Sequence, residues 1–380
     1  MQTGLEGAAS ALRGALADAG RGLVAREVVV ELVALAAVAG EHLLVVGPPG
    51  TGKSEAVRRV ARALGGTYFE YLLGRFTEPS EVFGPVDLRK LRDGRVETET
   101  AGMLPEAHLA FLDEVFLGST AILNTLLGVL NERTFRRGHT QVHCPLRVCV
   151  GASNALPDDE SLAAFADRFL LRAFVEPVPD AQLEELLAGG ASLWGDAPAR
   201  HASLDALDAL SQVARGADLS AVRPALAHAL RLLRRAGILL SDRRAVKAQR
   251  LVAAAAALGG RHTPGREDLW PLVFCVPTRE GQAAAREVLR ELLEPTENAG
   301  LPAAALEASQ GPLARARRIA ASGEQVLAAR PGTDAPAEAA EAWRLKLEGV
   351  AREIDAGFAP EALPEDLRQL RASILEVVRA

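Results

Sequence analysis

Cysteine is scarce: Cys144, Cys149 and Cys275 are the only three in 380 residues, an odd and spread set. Such usage excludes a disulfide framework and suits a reducing compartment. His139, His143, Cys144 and Cys149 fall near one another but lack the paired spacing of a zinc site, so the cysteines are read as core. Long apolar runs are missing too. The best of them, Val28 to Ala39, is cut by Glu31 and is shorter than the roughly 20 residues that span a bilayer. The start Met1-Gln2-Thr3-Gly4-Leu5-Glu6 has no basic stretch followed by an apolar one, the order a secretory signal needs. Nor is there an excess of positive charge: the net charge of −6 argues against a surface built throughout to grip nucleic acid, although a local basic channel stays open. No repeat of fixed period is visible. The expectation is a soluble, cytoplasmic chain of two or three domains, because its length exceeds that at which a single core stops growing.

What is present is a phosphate-binding loop. Gly47-Pro48-Pro49-Gly50-Thr51-Gly52-Lys53-Ser54 matches G-x-x-x-x-G-K-[ST] at every specified position. Leu43 to Val46 reads as the buried strand entering it, and Ser54 to Val60 as the helix leaving it. Gly50 and Gly52 let the backbone N–H groups curl around a β-phosphate, Lys53 brings a point charge to the β- and γ-phosphates, and the Ser54 hydroxyl is a ligand for Mg²⁺. ATP with Mg²⁺ is therefore the expected cofactor.

Strand and helix signals alternate up to about Pro179, with strands expected at Leu43 to Val46, Thr67 to Leu72, His108 to Leu112, Leu146 to Ala152 and Leu170 to Val175. The implied class is α/β with a largely parallel sheet. Leu5 to Gly40 carries helical spacing that Gly40 stops, which predicts one or two helices packed on this layer. After Pro177-Val178-Pro179 the strand signals vanish and Ala/Leu/Arg-rich helical spacing continues to the end. The division expected is a helical segment (1–40), a nucleotide-binding core (41–179), a helical lid (180–277) and a C-terminal helical region (278–380). Pro277, the Glu294 to Gly300 stretch and the Pro331 to Pro336 stretch are the expected joints.

Further polar positions sit beside strand ends. Leu109-Ala110-Phe111-Leu112-Asp113-Glu114 is an apolar strand ending in two acids. Asp113 is placed to hold Mg²⁺ through water, and Glu114 to polarise the attacking water. Val148 to Asn154 carries another strand out to an amide able to hold the lytic water or the γ-phosphate. Its alternative is an ordinary turn Asn before Pro157. Phe165-Ala166-Asp167-Arg168-Phe169 sets Arg168 just before the last strand, either as an arginine finger reaching a neighbour's γ-phosphate or as a surface partner of Asp167. Arg172 is next in line for that role.

Together these segments resemble the AAA+ ATPases and, among them, the MoxR family. The likeness is nearest to its RavA-type branch through Phe69-Glu70-Tyr71-Leu72, Glu81-Val82-Phe83-Gly84-Pro85, Ala121 to Leu127, Asn131-Glu132-Arg133 and Ser241-Asp242-Arg243-Arg244. The resemblance covers roughly Leu23 to Pro277. It implies a P-loop AAA+ core with a five-stranded sheet in the order 5-1-4-3-2, an all-α lid and a C-terminal helical region. It also implies a ring that is usually hexameric, with the nucleotide between subunits. Asp113 and Glu114 are then Walker B, Asn154 sensor 1, Arg168 the trans-acting finger, and Arg243 the sensor 2 arginine, with Arg244 as the alternative. Val24 and Arg26 either line the adenine pocket or serve plain packing and surface pairing.

Two insertions resemble hairpins that this branch turns toward the ring pore: Val96 to Thr100, and Thr134 to Val142 around Gly138. Beyond Pro277 the chain departs from the RavA-type pattern, because a β-rich insertion gives way to helices at Gly281 to Leu293, Ala303 to Ala329 and Pro336 to Phe358. Packing among themselves is the favoured reading of these, with docking on the lid or on another protein the alternative. The function expected is an ATP-hydrolysing ring motor that remodels or helps assemble protein complexes, with a von Willebrand factor A-domain protein as the implied partner. A nucleic-acid motor or loader, using Arg133, Arg136, Arg137 and His139 along a pore, is one alternative. The ATPase subunit of a metal chelatase is the other.

Overall fold

The structure, a computed structural model, describes residues 2–193, 202–294, 296–310, 312–332, 336–357 and 363–379. The N-terminal signal resolves into two helices, α1 (Gln2–Gly20) and α2 (Glu27–Ala39). Small and β-branched apolar residues on every side of α2 bury it from Val29 to Val38. Gly40, at φ 67°, ends it in a left-handed cap that a side chain would strain.

The α/β layer then runs β1 (Leu43–Val46), α3 (Lys53–Leu64), β2 (Tyr68–Leu72), two short helices α4 (Pro79–Phe83) and α5 (Leu88–Arg92), and β3 (Leu109–Asp113). It continues through α6 (Thr120–Glu132), the hairpin β4 (Thr134–Arg137) and β5 (Thr140–His143), β6 (Val148–Ser153), α7 (Glu160–Ala166) and β7 (Leu171–Phe174). Five strands form one sheet in the order β2-β3-β6-β1-β7, and every pairing is parallel. With the hairpin set aside, this is the 5-1-4-3-2 order expected. All of β1 is buried, as a parallel strand covered on both faces must be. Leu43 and Val45 join the core shared with α1, α2 and the later helices, whereas Leu44 and Val46 join the core on the opposite face.

The foot of β1 is tied down on two sides. The Glu41 carboxylate, fully buried, meets Lys247 at 2.6 Å and Arg250 at 3.0 Å. His42 Nδ1 accepts from the Cys149 amide at 2.9 Å, and Nε2 lies 2.9 Å from the Leu130 carbonyl and 2.7 Å from the Arg133 guanidinium. Burial holds this imidazole well below its ordinary pKa, so it is neutral.

Of the two expected hairpins one forms. Thr134 to His143 pairs antiparallel around Gly138, at φ 58°. Val96 to Thr100 makes a single bridge instead, Val86 to Thr98. The ladder cannot lengthen, because Asp87 is already the N-cap of α5 and Pro85 has no N–H to give. Val96 bonds to the true hairpin through His139, whose Nδ1 accepts from the Val96 amide at 3.1 Å and whose amide donates to the Val96 carbonyl at 2.8 Å.

Past β7 the described residues are helical: α8 (Leu183–Leu193), α9 (Leu204–Gly216), α10 (Arg223–Arg235), α11 (Asp242–Leu258), α12 (Pro271–Phe274), α13 (Arg279–Val288), α14 (Arg290–Leu293), α15 (Pro302–Gln310), α16 (Pro312–Ala328), α17 (Ala337–Gly357) and α18 (Glu365–Arg379). One of the long helices expected here is broken. Gly281 to Leu293 divides at Leu289 into α13 and α14, while Ala303 to Ala329 is described as α15 and α16, with Gly311 between them outside the described residues. Pro295, Thr333 to Ala335 and Phe358, where joints or ends were expected, lie outside the described residues. Helices α16 to α18 bury a core of their own around Trp343, Leu347, Val350 and Leu367. Helix α15 packs on α2, where the Glu31 carboxylate caps it by accepting from the Ala303 and Ala304 amides at 3.2 and 2.7 Å. Burial pushes this carboxyl up to about 7.

Candidate functional site

The loop after β1 sits where the sheet order reverses, with β6 on one side and β7 on the other, the place where open parallel sheets bind ligands beyond their carboxyl ends. Gly47 lies so close to β7 that a Cβ would collide with the Val175 carbonyl. Gly50 and Gly52 have φ of 77° and 75°, and Gly52 starts α3. The Lys53 ammonium bonds the carbonyls of Gly47 at 2.7 Å and Pro48 at 2.8 Å, at the mouth of its own loop. Burial lowers its pKa, while Asp113 and Glu114 oppose that shift, so both acids lie within electrostatic reach of Lys53. The Ser54 hydroxyl carries no hydrogen bond among the described residues and is free to meet a cation.

Register brings the other polar residues to the same edge. Leu112 pairs with Gly151 and Val46 with Ser153, so Asp113 and Asn154 emerge beside Gly47. Glu114 adopts φ 48°, a left-handed conformation uncommon for a residue with a side chain. Its Oε1 accepts from the Asn154 amide at 2.6 Å.

Val24 is buried. Arg26 is buried as well, and its guanidinium serves backbone carbonyls, donating to Thr51 at 2.6 Å and to Glu176 at 2.8 Å. The side chain straps the phosphate loop to the segment after β7.

The arginines lie at the other end. β1 and β7 pair from Leu43–Leu171 to Val46–Phe174, so Arg168 precedes the paired stretch while Gly47 follows it. Roughly 13 Å of strand separates those ends. Arg168 has no hydrogen-bond or ion-pair partner for its side chain among the described residues, and its buried Nε is unsatisfied. Burial lowers its pKa, and the like charge of Arg243 lowers it further. The structure thus brings Arg168 and Arg243 together, and it does not bring either to the phosphate loop of the same chain. Arg243 is exposed.

Neither alternative residue is free. Arg244, 1% exposed, bonds the Asp167 carboxylate at 3.0 Å and the carbonyls of Phe169, Leu170 and Cys275 at 3.2, 2.6 and 2.9 Å. Arg172 is buried on the carbonyls of Pro277 and Ala166, and burial pulls its pKa down to about 10. The doublet itself held a signal: neighbours on a helix point about 100° apart, so one of two arginines opening α11 turns inward when the other faces solvent. Of the four side chains considered for a basic pore, Arg133 donates to the Leu130 and Gly40 carbonyls, Arg137 donates to the Gly84 carbonyl, Arg136 pairs with Glu132, and His139 holds Val96.

A parallel sheet with this loop at its switch point, two acids and an amide on the same edge, and a helical lid define an AAA+ P-loop protein. A family model described as the MoxR domain in the MoxR-vWA-beta-propeller ternary systems matches residues 10–214, and an AAA lid domain model matches residues 219–288. The chain belongs to the MoxR family. Two uncharacterized proteins of Methanocaldococcus jannaschii are 35% and 34% identical to it over 242 and 241 residues, matches that cover 63% of this chain and 63% and 64% of theirs. The chaperone MoxR1 of Mycobacterium tuberculosis is 27% identical over 186 residues, 48% of each chain. In fold, the chain is similar to the crystal structure of a candidate ATPase from Cytophaga hutchinsonii, with TM-score 0.62 and 15% identity, over 78% of this chain and 97% of that one. No helix of the described residues is long and apolar enough to cross a membrane.

Proposed function

We propose that this chain is a MoxR-type motor that hydrolyses ATP in a ring of its own copies, a hexamer by family resemblance, and remodels or helps assemble a protein complex. The observation that carries this reading is the separation of the phosphate loop from Arg168 and Arg243, two arginines whose side chains have no partner among the described residues, at opposite ends of the β1–β7 pair. A site divided in this way is completed by a second copy. Gly47 to Ser54 would hold the triphosphate, with Lys53 on the β- and γ-phosphates and Ser54 and Asp113 on Mg²⁺. Mg²⁺, when bound, neutralises phosphate charge. Glu114 takes a proton from the attacking water, Asn154 orients that carboxylate, and Arg168 reaches the neighbour's γ-phosphate with Arg243 beside it. In this reading Arg243 serves the neighbour's nucleotide rather than its own, and Arg244 drops out as a sensor.

The partner proposed is a von Willebrand factor A-domain protein. Support comes from the description of the matched family model, which names a vWA and a β-propeller component. Placement in the RavA-like branch rests on the motif resemblance, and a cytoplasmic setting on the sparse cysteines, all three of them free and buried. The division into an N-terminal segment, core, lid and C-terminal region belongs to the same proposal.

The experiment measures ATP affinity beside turnover. Lys53→Ala should lose binding, whereas Glu114→Gln should bind ATP and fail to turn it over. Normal turnover in Glu114→Gln would sink the assignment of the base. The same variant, held with ATP, is the bait for the partner, and a vWA-domain protein retained by Glu114→Gln but not by Lys53→Ala is the result expected.

A further inference from the structure

We infer that Arg244 is a positioning residue for Arg168, so that the lid and the finger offered to the neighbouring subunit move as one body. The inference rests on the reading of Arg168 as that finger. Arg168 lies in the short turn between α7 and β7, and a phosphate-reaching guanidinium needs its backbone fixed to within about half an ångström. Two other guanidinium groups grip that turn. Arg172 donates to the Ala166 carbonyl at 3.0 Å, and Arg244 meets the Asp167 carboxylate at 3.0 Å, the Phe169 carbonyl at 3.2 Å and the Leu170 carbonyl at 2.6 Å. The grip falls on both sides of Arg168 and leaves its own side chain without a partner among the described residues.

Arg244 belongs to the lid. It lies in the first turn of α11, whose N-cap Ser241 accepts from the Arg244 amide, and its Nε is anchored on the Cys275 carbonyl at 2.9 Å. A lysine cannot replace it, because one ammonium cannot reach carbonyls on Cys275 and Leu170 and a carboxylate on Asp167 in three directions. Arg243, the next residue back, then moves with the same turn of α11. A lid rotation therefore carries both arginines toward or away from the neighbour's nucleotide.

The test compares Arg168→Ala, Arg244→Lys and Asp167→Asn in the full chain, below their melting temperatures, with kcat, KM and ATP affinity measured for each. Arg244→Lys should lower kcat by about 10²-fold, the usual effect of misplacing a reacting group by an ångström, with ATP affinity unchanged. Asp167→Asn, which removes one anchor and keeps the arginine, should give a smaller loss of the same kind. Mixed with Lys53→Ala protein, Arg244→Lys should regain activity, because the hybrid interface joins its intact phosphate loop to an intact Arg168–Arg244 pair. If Arg244→Lys does not fold, Asp167→Asn carries the comparison alone. Wild-type kcat in the folded variants beside a crippled Arg168→Ala overturns this inference only, as does a loss of ATP affinity that mixing does not repair. Wild-type kcat in Arg168→Ala overturns the finger and this inference with it.

Discussion

The Asn154 amide donates to Oε1 of Glu114 at 2.6 Å, so the carboxylate read as the base is held by the side chain at the end of the neighbouring strand. Its backbone is held as well, since Glu114 sits at φ 48° with its amide on the Asp113 carboxylate. Asn154 thereby sets the direction in which the Glu114 carboxylate faces.

Asn154→Ala should therefore keep ATP affinity near that of the wild type and reduce turnover by roughly 10²-fold, the lower end of what general-base catalysis contributes. Glu114→Gln should cost more. Equal turnover in Asn154→Ala and wild type would show that the bond is incidental.

Arg168→Ala should retain ATP binding and lose about 10³-fold or more in turnover. Mixed with excess Lys53→Ala protein it should recover part of the activity, provided both variants assemble on size-exclusion chromatography. Arg243→Ala should behave the same way with a smaller loss. Recovery by neither variant would place both arginines outside the neighbour's site.

Arg26→Ala removes the donor to the Thr51 and Glu176 carbonyls. The phosphate loop loses its strap to β7, and ATP affinity should fall by about 10-fold, roughly the worth of one hydrogen bond to a charged group. Isothermal titration of ATP decides it. Were Arg26 only a surface group, the affinity would not move.

Glu31 gives a pH dependence with a definite sign. Its carboxyl is raised to about 7 in the folded chain, against about 4.3 for an exposed glutamate, so the folded state holds the proton more tightly. The resulting stabilisation is full below about 4.3, declines as pH rises toward about 7, and is gone above it. Glu31→Gln, which stays neutral, should lack this decline. The melting temperature of the variant minus that of the wild type should rise between pH 4.5 and pH 7.5, as the wild type loses on the order of 3 kcal/mol. A difference that falls over this range would mean the cap on α15 favours the charged carboxylate.

Most of the sheet and its shared edge was legible because β1, β3 and β6 are short apolar runs closed by Gly47, Asp113 and Asn154, and a parallel sheet puts such closings on one edge. Leu43 to Val46 is the clearest case, with the same ends in sequence and structure. The destinations of the arginines were not legible. Arg26, Arg133 and Arg244 all bond carbonyls contributed by segments distant in the chain, and no local spacing reports such partners. Val96 to Thr100 alternates like a strand, yet its neighbour is short of donors and its tip is taken up by His139. In the C-terminal helices the apolar spacing continued through Leu289, where the backbone turns out of the helix at ψ 5°.

The foot of β1 has a mechanical consequence. A strand is already extended and has little length to give, so a shift of Gly47 would pass along Leu43 to Val46 with little taken up on the way. At the lower end it arrives at Glu41, gripped by Lys247 and Arg250 of α11, and at His42, seated against the Leu130 carbonyl at the end of α6. One short strand thus joins the phosphate loop to two anchors, one on the lid and one on the helix that leads into the hairpin.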